Sequence, residues 1–163
     1  MKQEESYCIE VYIQMNNIYP PWWNSTITIY NRYEDKNTNI VRWYRTSIPN
    51  CFWKDAGNKV HIGNTTLETN DIICRIPKDN RFLPNYQWSV LPSDQKQDYF
   101  TLSVGDIIVL GDVEDEINEY ASGMRSNDLV DKYKALQGCL KIEQTSINTD
   151  GGRGSEHYFV KGV

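Results

Sequence analysis

The chain has 163 residues, a formal net charge of −5, 39% hydrophobic and 24% charged residues, with 11 Tyr and 5 Trp as its one compositional excess. A chain of this length folds as one domain with a core of its own and needs no metal or disulfide to hold it. The acidic balance argues against a tight grip on nucleic acid, and no stretch approaches the roughly 18 apolar residues of a membrane span.

The opening "MKQEESYCIEVYIQ" lacks the basic head and apolar run of a signal peptide, which predicts a protein that stays in a cytoplasm. Residues 1–18 read as an N-terminal arm. Within it Tyr7–Ile13 alternates like a strand, and Met15 stands as a second candidate start. The arm leads into "YPPWWN", where adjacent tryptophans at a strand entrance should point in opposite directions if the chain is extended there.

From Ser25 the β signals come in series. In "STITIYNRY" Ile27 and Ile29 share one face, with Thr26 and Thr28 on the other, the period of a half-buried strand. "EDKNTN" is a polar turn, so Ile40–Ile48 should pair back as a hairpin that ends or bends at Pro49. Asn50–Asp55 follows, then a turn at Ala56-Gly57-Asn58, then strands at Lys59–Gly63 and Asp71–Ile76. Residues 77–98 carry three prolines and no period, which predicts a long loop; its aromatics Phe82, Tyr86 and Trp88 point to packing rather than disorder. "YFTLSVGDIIVLGDV" is the clearest core strand.

Residues 112–138 are the helical ground. Val113, Ile117 and Tyr120 fall at helical spacing, and Ser126 caps a second run through Leu129, Val130, Tyr133 and Leu136 that ends at Gly138. Strands at Cys139–Ile147 and His157–Val163 close the chain around the glycine-rich "NTDGGRGSE". The reading is a mainly β protein: a small β-barrel of about seven strands over residues 19–163, with a helical insertion before the last two strands, plus the long loop and the arm.

Chemistry has few footholds. Cys8, Cys51, Cys74 and Cys139 show no paired spacing with each other or with His61 and His157, so no metal and no cofactor are expected. "DGGRGS" precedes a strand rather than a helix, which makes it a hairpin tip and not a phosphate loop. The acidic group Asp112, Glu114, Asp115, Glu116 and Glu119 lacks calcium-loop spacing and reads as a solvated helix start. Glu156-His157 is an acid–histidine pair with no nucleophile attached to it by sequence. No catalytic residue is expected. Trp43 and Trp53 fall inside strands and read as core. Trp22, Trp23, Phe82, Tyr86 and Trp88 stand where burial within one subunit is least assured, so they are the candidate interface residues.

Three stretches carry a resemblance: "TITIYNRYEDKNTNIVRWYRTSIPNCFWK", "LSVGDIIVLGDVEDEI" and "YKALQGCLKIEQTSINTDGGRGSEHYFVKGV". In order and spacing the chain resembles the head-completion (head–tail connector) proteins of tailed phages, particularly phages and prophages of Gram-positive bacteria. The resemblance implies a small β-barrel that assembles as a ring, commonly of twelve or six subunits, in the virion neck. Its partners would be a portal or adaptor protein on one side and a tail terminator or tail tube protein on the other. DNA would pass in the channel without sequence-specific binding, and assembly would take place in the bacterial host cytoplasm. A tail terminator ring and a carbohydrate-binding β-sandwich with Trp22, Trp23 and Trp88 as its platform are the competing readings. Residues 1–14 and 77–98 have no counterpart in the resemblance.

Overall fold

The computed structural model describes residues 18–120, 122–149, 151–152 and 154–163. The N-terminal arm with its strand-like Tyr7–Ile13, Cys8 and Met15, and Asp150 and Arg153 of the glycine-rich loop, lie outside the described residues.

Six strands close a barrel in the order β1-β2-β3-β6-β5-β4. They are β1 (Ser25–Glu34), β2 (Val41–Ile62), β3 (Thr65–Pro77), β4 (Ile107–Leu110), β5 (Cys139–Asn148) and β6 (His157–Gly162). Every pairing is antiparallel, and the short β4 completes the ring by joining β1 to β5. The expected mainly β barrel is therefore present.

The strand count is one lower than about seven because β2 does not stop where the sequence predicts. Between the pairs Ile27↔Ile48 and Ser25↔Cys51 the register shifts, leaving one extra residue on β2. Pro49 sits in this bulge, where its missing N–H costs no ladder bond, and Asn50 takes the left-handed conformation with φ of 59°. The strand bends here instead of ending. Its first half pairs with β1 and its second half, from Phe52, with β3. The turn expected at Ala56-Gly57-Asn58 is likewise absent: Gly57 lies in the ladder opposite Asn70, and the chain reverses at Gly63-Asn64.

β6 takes up β3 only from Ile72 onward. From Ala56↔Asp71 to Ile62↔Thr65, β2 and β3 pair only with each other among the described residues. They form a two-stranded ribbon that runs on beyond the barrel.

β1 was expected to be half-buried, yet both its faces are covered. Ile27 and Ile29 fill the barrel interior, while Thr28 and Tyr30 on the opposite face are also at most 1% exposed. The cause is the segment after β4, which lies across the outer face. Thr28 Oγ1 donates to Gly111 O at 2.7 Å and accepts from Val113 N at 3.0 Å, and the Tyr30 hydroxyl donates to Asp115 O at 2.7 Å.

That same segment corrects the helical insertion. Residues 112–120 are not helical. Val113 and Ile117 are buried against Tyr30 and Val109, but on an irregular path closed by the Asn118 N to Met124 O bond of 2.9 Å. Within 112–138 the one helix among the described residues is α3 (Ser126–Leu136); Arg125, one residue earlier than expected, is its N-cap, with its N–H given to the Asp128 carboxylate at 3.2 Å. Leu129 and Tyr133 dock the helix on the barrel wall. Burial of each such side chain stabilises by about 1.5–3 kcal/mol.

The long loop also carries structure. Pro84 and Pro92, at φ of −56° and −58°, start the single-turn helices α1 (Asn85–Trp88) and α2 (Ser93–Lys96). Leu83 N to Phe100 O (2.9 Å) and Phe100 N to Arg81 O (3.0 Å) tie the two ends of this strap together. Phe82 packs on the interior cluster and Phe100 belongs to it. No helix among the described residues is long and apolar enough to cross a membrane.

Candidate interaction surface

The candidate interface residues separate into three groups. Pro20 to Trp23 is a turn rather than an extended segment, closed by Trp23 N to Pro20 O at 2.9 Å, with Pro21 at its favoured second position. The corner residue Trp22 is thrown outward, 65% exposed, while Trp23 folds back to 7%. Trp23 stacks on Tyr19 at 5.0 Å and meets the His157 ring edge-on at 5.6 Å.

Trp88, expected where burial within one subunit is least assured, is interior to the subunit at 1% exposure. Tyr33 and Tyr44 meet its ring edge-on at 6.2 and 5.6 Å, and its indole N–H is shared between Lys96 O and Tyr99 O, each at 3.3 Å. Lys96 completes the knot, also 1% exposed. Its ammonium lies 4.3 Å from the Tyr33 ring centroid and donates to the carbonyls of Ser89 (2.9 Å) and Leu91. Desolvation holds this lysine's pKa below its ordinary value. Nothing in the local pattern marks it: a lysine between Gln95 and Gln97 reads as solvated surface.

Phe82 is half-buried, stacked on Tyr158 at 4.2 Å. Tyr86 is 72% exposed. Trp22 and Tyr86 are thus the two candidates left fully on the surface. Trp22, Trp23 and Trp88 do not form a common platform, since two of the three are interior. Sequence reasoning missed Ile147, 55% exposed on β5, and Ile62, 61% exposed beside the ribbon tip. Ile147 stands alone among the polar residues of "EQTSIN", which was its available signal.

Several of the titratable candidates are committed to structural contacts. His157 Nδ1 bonds to Ser155 O at 2.6 Å and Nε2 to the Asn148 amide at 3.0 Å, while Glu156 pairs with Lys78 at 3.0 Å rather than with the histidine. Asp115 takes Lys132 at 2.7 Å together with the Tyr133 hydroxyl, and these two partners hold its carboxyl below the usual range. Glu119 accepts the Trp43 indole N–H at 3.0 Å. Burial pushes the Cys51 and Cys74 thiols up, and that of Cys139 up to about 12, so these sulfurs stay protonated.

Asp106 is the buried acid. Its carboxylate accepts Arg32 N at 2.9 Å, the Asn31 amide at 2.8 Å and Ser103 N at 3.0 Å, locking the turn before β4 onto β1. Burial raises its pKa to about 6 against the pull of these donors.

The molecule is thus a small closed antiparallel barrel with a packed strap and a projecting ribbon. It belongs to the family described as a family of unknown function, DUF6751, whose model matches residues 22–163, from the exposed Trp22 to the last residue. No curated protein and no solved structure matches the chain.

Proposed function

We propose that this chain is a structural subunit of the tailed-phage neck, a head–tail connector that assembles into a ring between portal or adaptor and tail. The observation that carries the reading is the β2–β3 ribbon. Two strands that pair only with each other among the described residues are marginal in water and present open edges, which suits a part that is completed by a neighbour. A ring needs different patches on the two flanks of each subunit. The ribbon, with Ile62 61% exposed next to its tip, provides one, and the corner holding Trp22 provides another. The net charge of −5 suits a channel wall along which DNA slides without being held. In this reading the protein is made in the bacterial cytoplasm and ends in the virion neck.

The test is solution mass followed by negative-stain imaging of the chain alone and with its cognate portal. Rings, or added density on the portal, are the expected result. Density on the tail tube alone would move the chain to the tail terminator position. A monomer that ignores portal and binds oligosaccharide would overturn the reading.

A further inference from the structure

The wall built by β2, β3 and β6 carries a side-chain pattern on its outer face. In the ladder Phe52 lies opposite Arg75, and Arg75 lies opposite Phe159. Two residues along, Lys54 lies opposite Ile73, and Ile73 lies opposite Lys161. Directly opposed residues share a face of a sheet, and so do residues two apart on one strand. The residues between them settle which face it is: Cys51, Cys74 and Val160 are all 0% exposed and point into the barrel. The outside of this wall is therefore a Phe–Arg–Phe row beside a Lys–Ile–Lys row.

The first row is held in place. The Arg75 guanidinium lies 5.2 Å from the centroid of the Phe52 ring, a cation–π contact. Trp23 flanks the same ring at 6.4 Å and meets His157 on its other side. Phe52, Arg75 and Phe159 are half-buried and Lys54 is exposed. Lys161 is drawn to Asp71 at 2.9 Å, so Arg75 and Lys54 are the cations of this face without a carboxylate among the described residues.

The charge of the wall runs against that of the chain. The net charge is −5, yet the exposed acids Asp112, Glu114 and Glu116 belong to the segment laid over β1, across the closed barrel from β6. We propose that the outer face of β2, β3 and β6 is a platform for single-stranded nucleic acid, with bases on Phe52 and Phe159 and phosphates at Arg75 and Lys54. The two rings are two strand spacings apart, about 10 Å, with the guanidinium between them. A single strand offers flat base faces and anions in alternation, and rings interleaved with cations match both. A neutral sugar would use the rings and leave the cations without a role. Stacking and phosphate contacts of this kind carry little sequence preference. The inference goes beyond the neck reading and does not rest on it.

Fluorescence anisotropy at low ionic strength tests it, with labelled oligothymidylate and oligouridylate as probes and the full chain as titrant. Saturable binding of either probe is the expected result, and the tighter one tells DNA from RNA. Arg75→Gln/Lys54→Gln should weaken binding about tenfold or more and make the log–log salt dependence shallower by about 1.4. Phe159→Leu, which keeps an apolar side chain on the sheet, should weaken it about fivefold or more. The control Lys36→Gln/Lys134→Gln removes two exposed charges elsewhere and should leave binding unchanged. Arg75→Gln/Lys54→Gln alters no interior side chain, so it reads the site even where Phe159→Leu loosens the wall. No saturable binding overturns the proposal, and so does equal weakening by the control. Unchanged binding by Phe159→Leu, or a duplex that competes as well as the single strand, also overturns it by leaving only a cationic patch.

Discussion

The strap over residues 77–104 and the β2–β3 ribbon exchange the roles their sequences suggest. The strap has no period and holds Pro77, Pro84 and Pro92, the composition of a loose connection. Yet it encloses Trp88 and Lys96, each 1% exposed. The ribbon is regular β structure, ladder-paired residue by residue, and Lys59, His61, Ile62 and the tip are exposed. Periodicity reports the conformation of the backbone. Burial depends on what the rest of the fold lays against it: the strap gains Tyr33 and Tyr44, whereas no third strand pairs with the ribbon among the described residues.

The sharpest way to break this contrast is Trp88→Ala. An interior indole flanked by two tyrosines leaves a large cavity, and truncations of this kind cost about 3–5 kcal/mol. Urea unfolding of the isolated chain should show that loss. A variant with an unshifted midpoint would return Trp88 to the surface and the strap to the status of a loop. Lys96→Met comes next. The chain length and stem packing survive, but the carbonyls of Ser89 and Leu91 lose their donor, a loss of about 1–3 kcal/mol. Relief of the buried ammonium offsets part of it. Thermal unfolding that matched the native chain would mean the cation does not hold the strap.

A smaller effect separates the strap's far end from the rest by pH. Asp106 has a folded pKa of about 6, above the ordinary aspartate value of 3.8. A carboxyl raised on folding binds protons that the unfolded chain does not, so its contribution to stability increases as pH falls through 6 and levels off near the unfolded value. Between pH 7.5 and 5 this amounts to roughly 1 kcal/mol in favour of the folded state. Asp106→Asn removes the titration, and the difference between the two pH profiles is the quantity to read. Parallel profiles would show that the three N–H donors keep the carboxylate ionised throughout.

How far each region was legible follows from the same distinction. β1 and Ile107–Leu110 announced themselves because β-branched runs bounded by turns have few alternatives. Pro49 and Gly57 misled because a bulge and an open ribbon tolerate residues that a central strand does not. Val113, Ile117 and Tyr120 misled for another reason. Their helical spacing is coincidental, and the path they follow is dictated by Thr28 and Tyr30 side-chain bonds that span more than eighty residues of sequence. The division of Trp22 from Trp23 was legible in the dipeptide itself, although a turn and not an extended chain produces it. The burial of Trp88 was not, because its partners Tyr33, Tyr44 and Lys96 come from three separate segments.

The least costly substitution carries the most for function. Ile62 stands 61% exposed beside the ribbon tip, where the ladder pairs only with itself. Ile62→Asp removes no interior contact, so the isolated chain should unfold within about 0.5 kcal/mol of the native one. An acid at that position nonetheless places a charge that must be desolvated in any contact that covers the tip. On the connector reading, assembly onto the portal should fail while the monomer stays folded, with negative-stain imaging and urea unfolding read side by side. Normal assembly of the variant would remove the ribbon from the ring contacts and leave the Trp22 corner as the flank to test. A large loss of stability would mean that the tip is packed within the subunit, and the contrast between strap and ribbon would no longer hold.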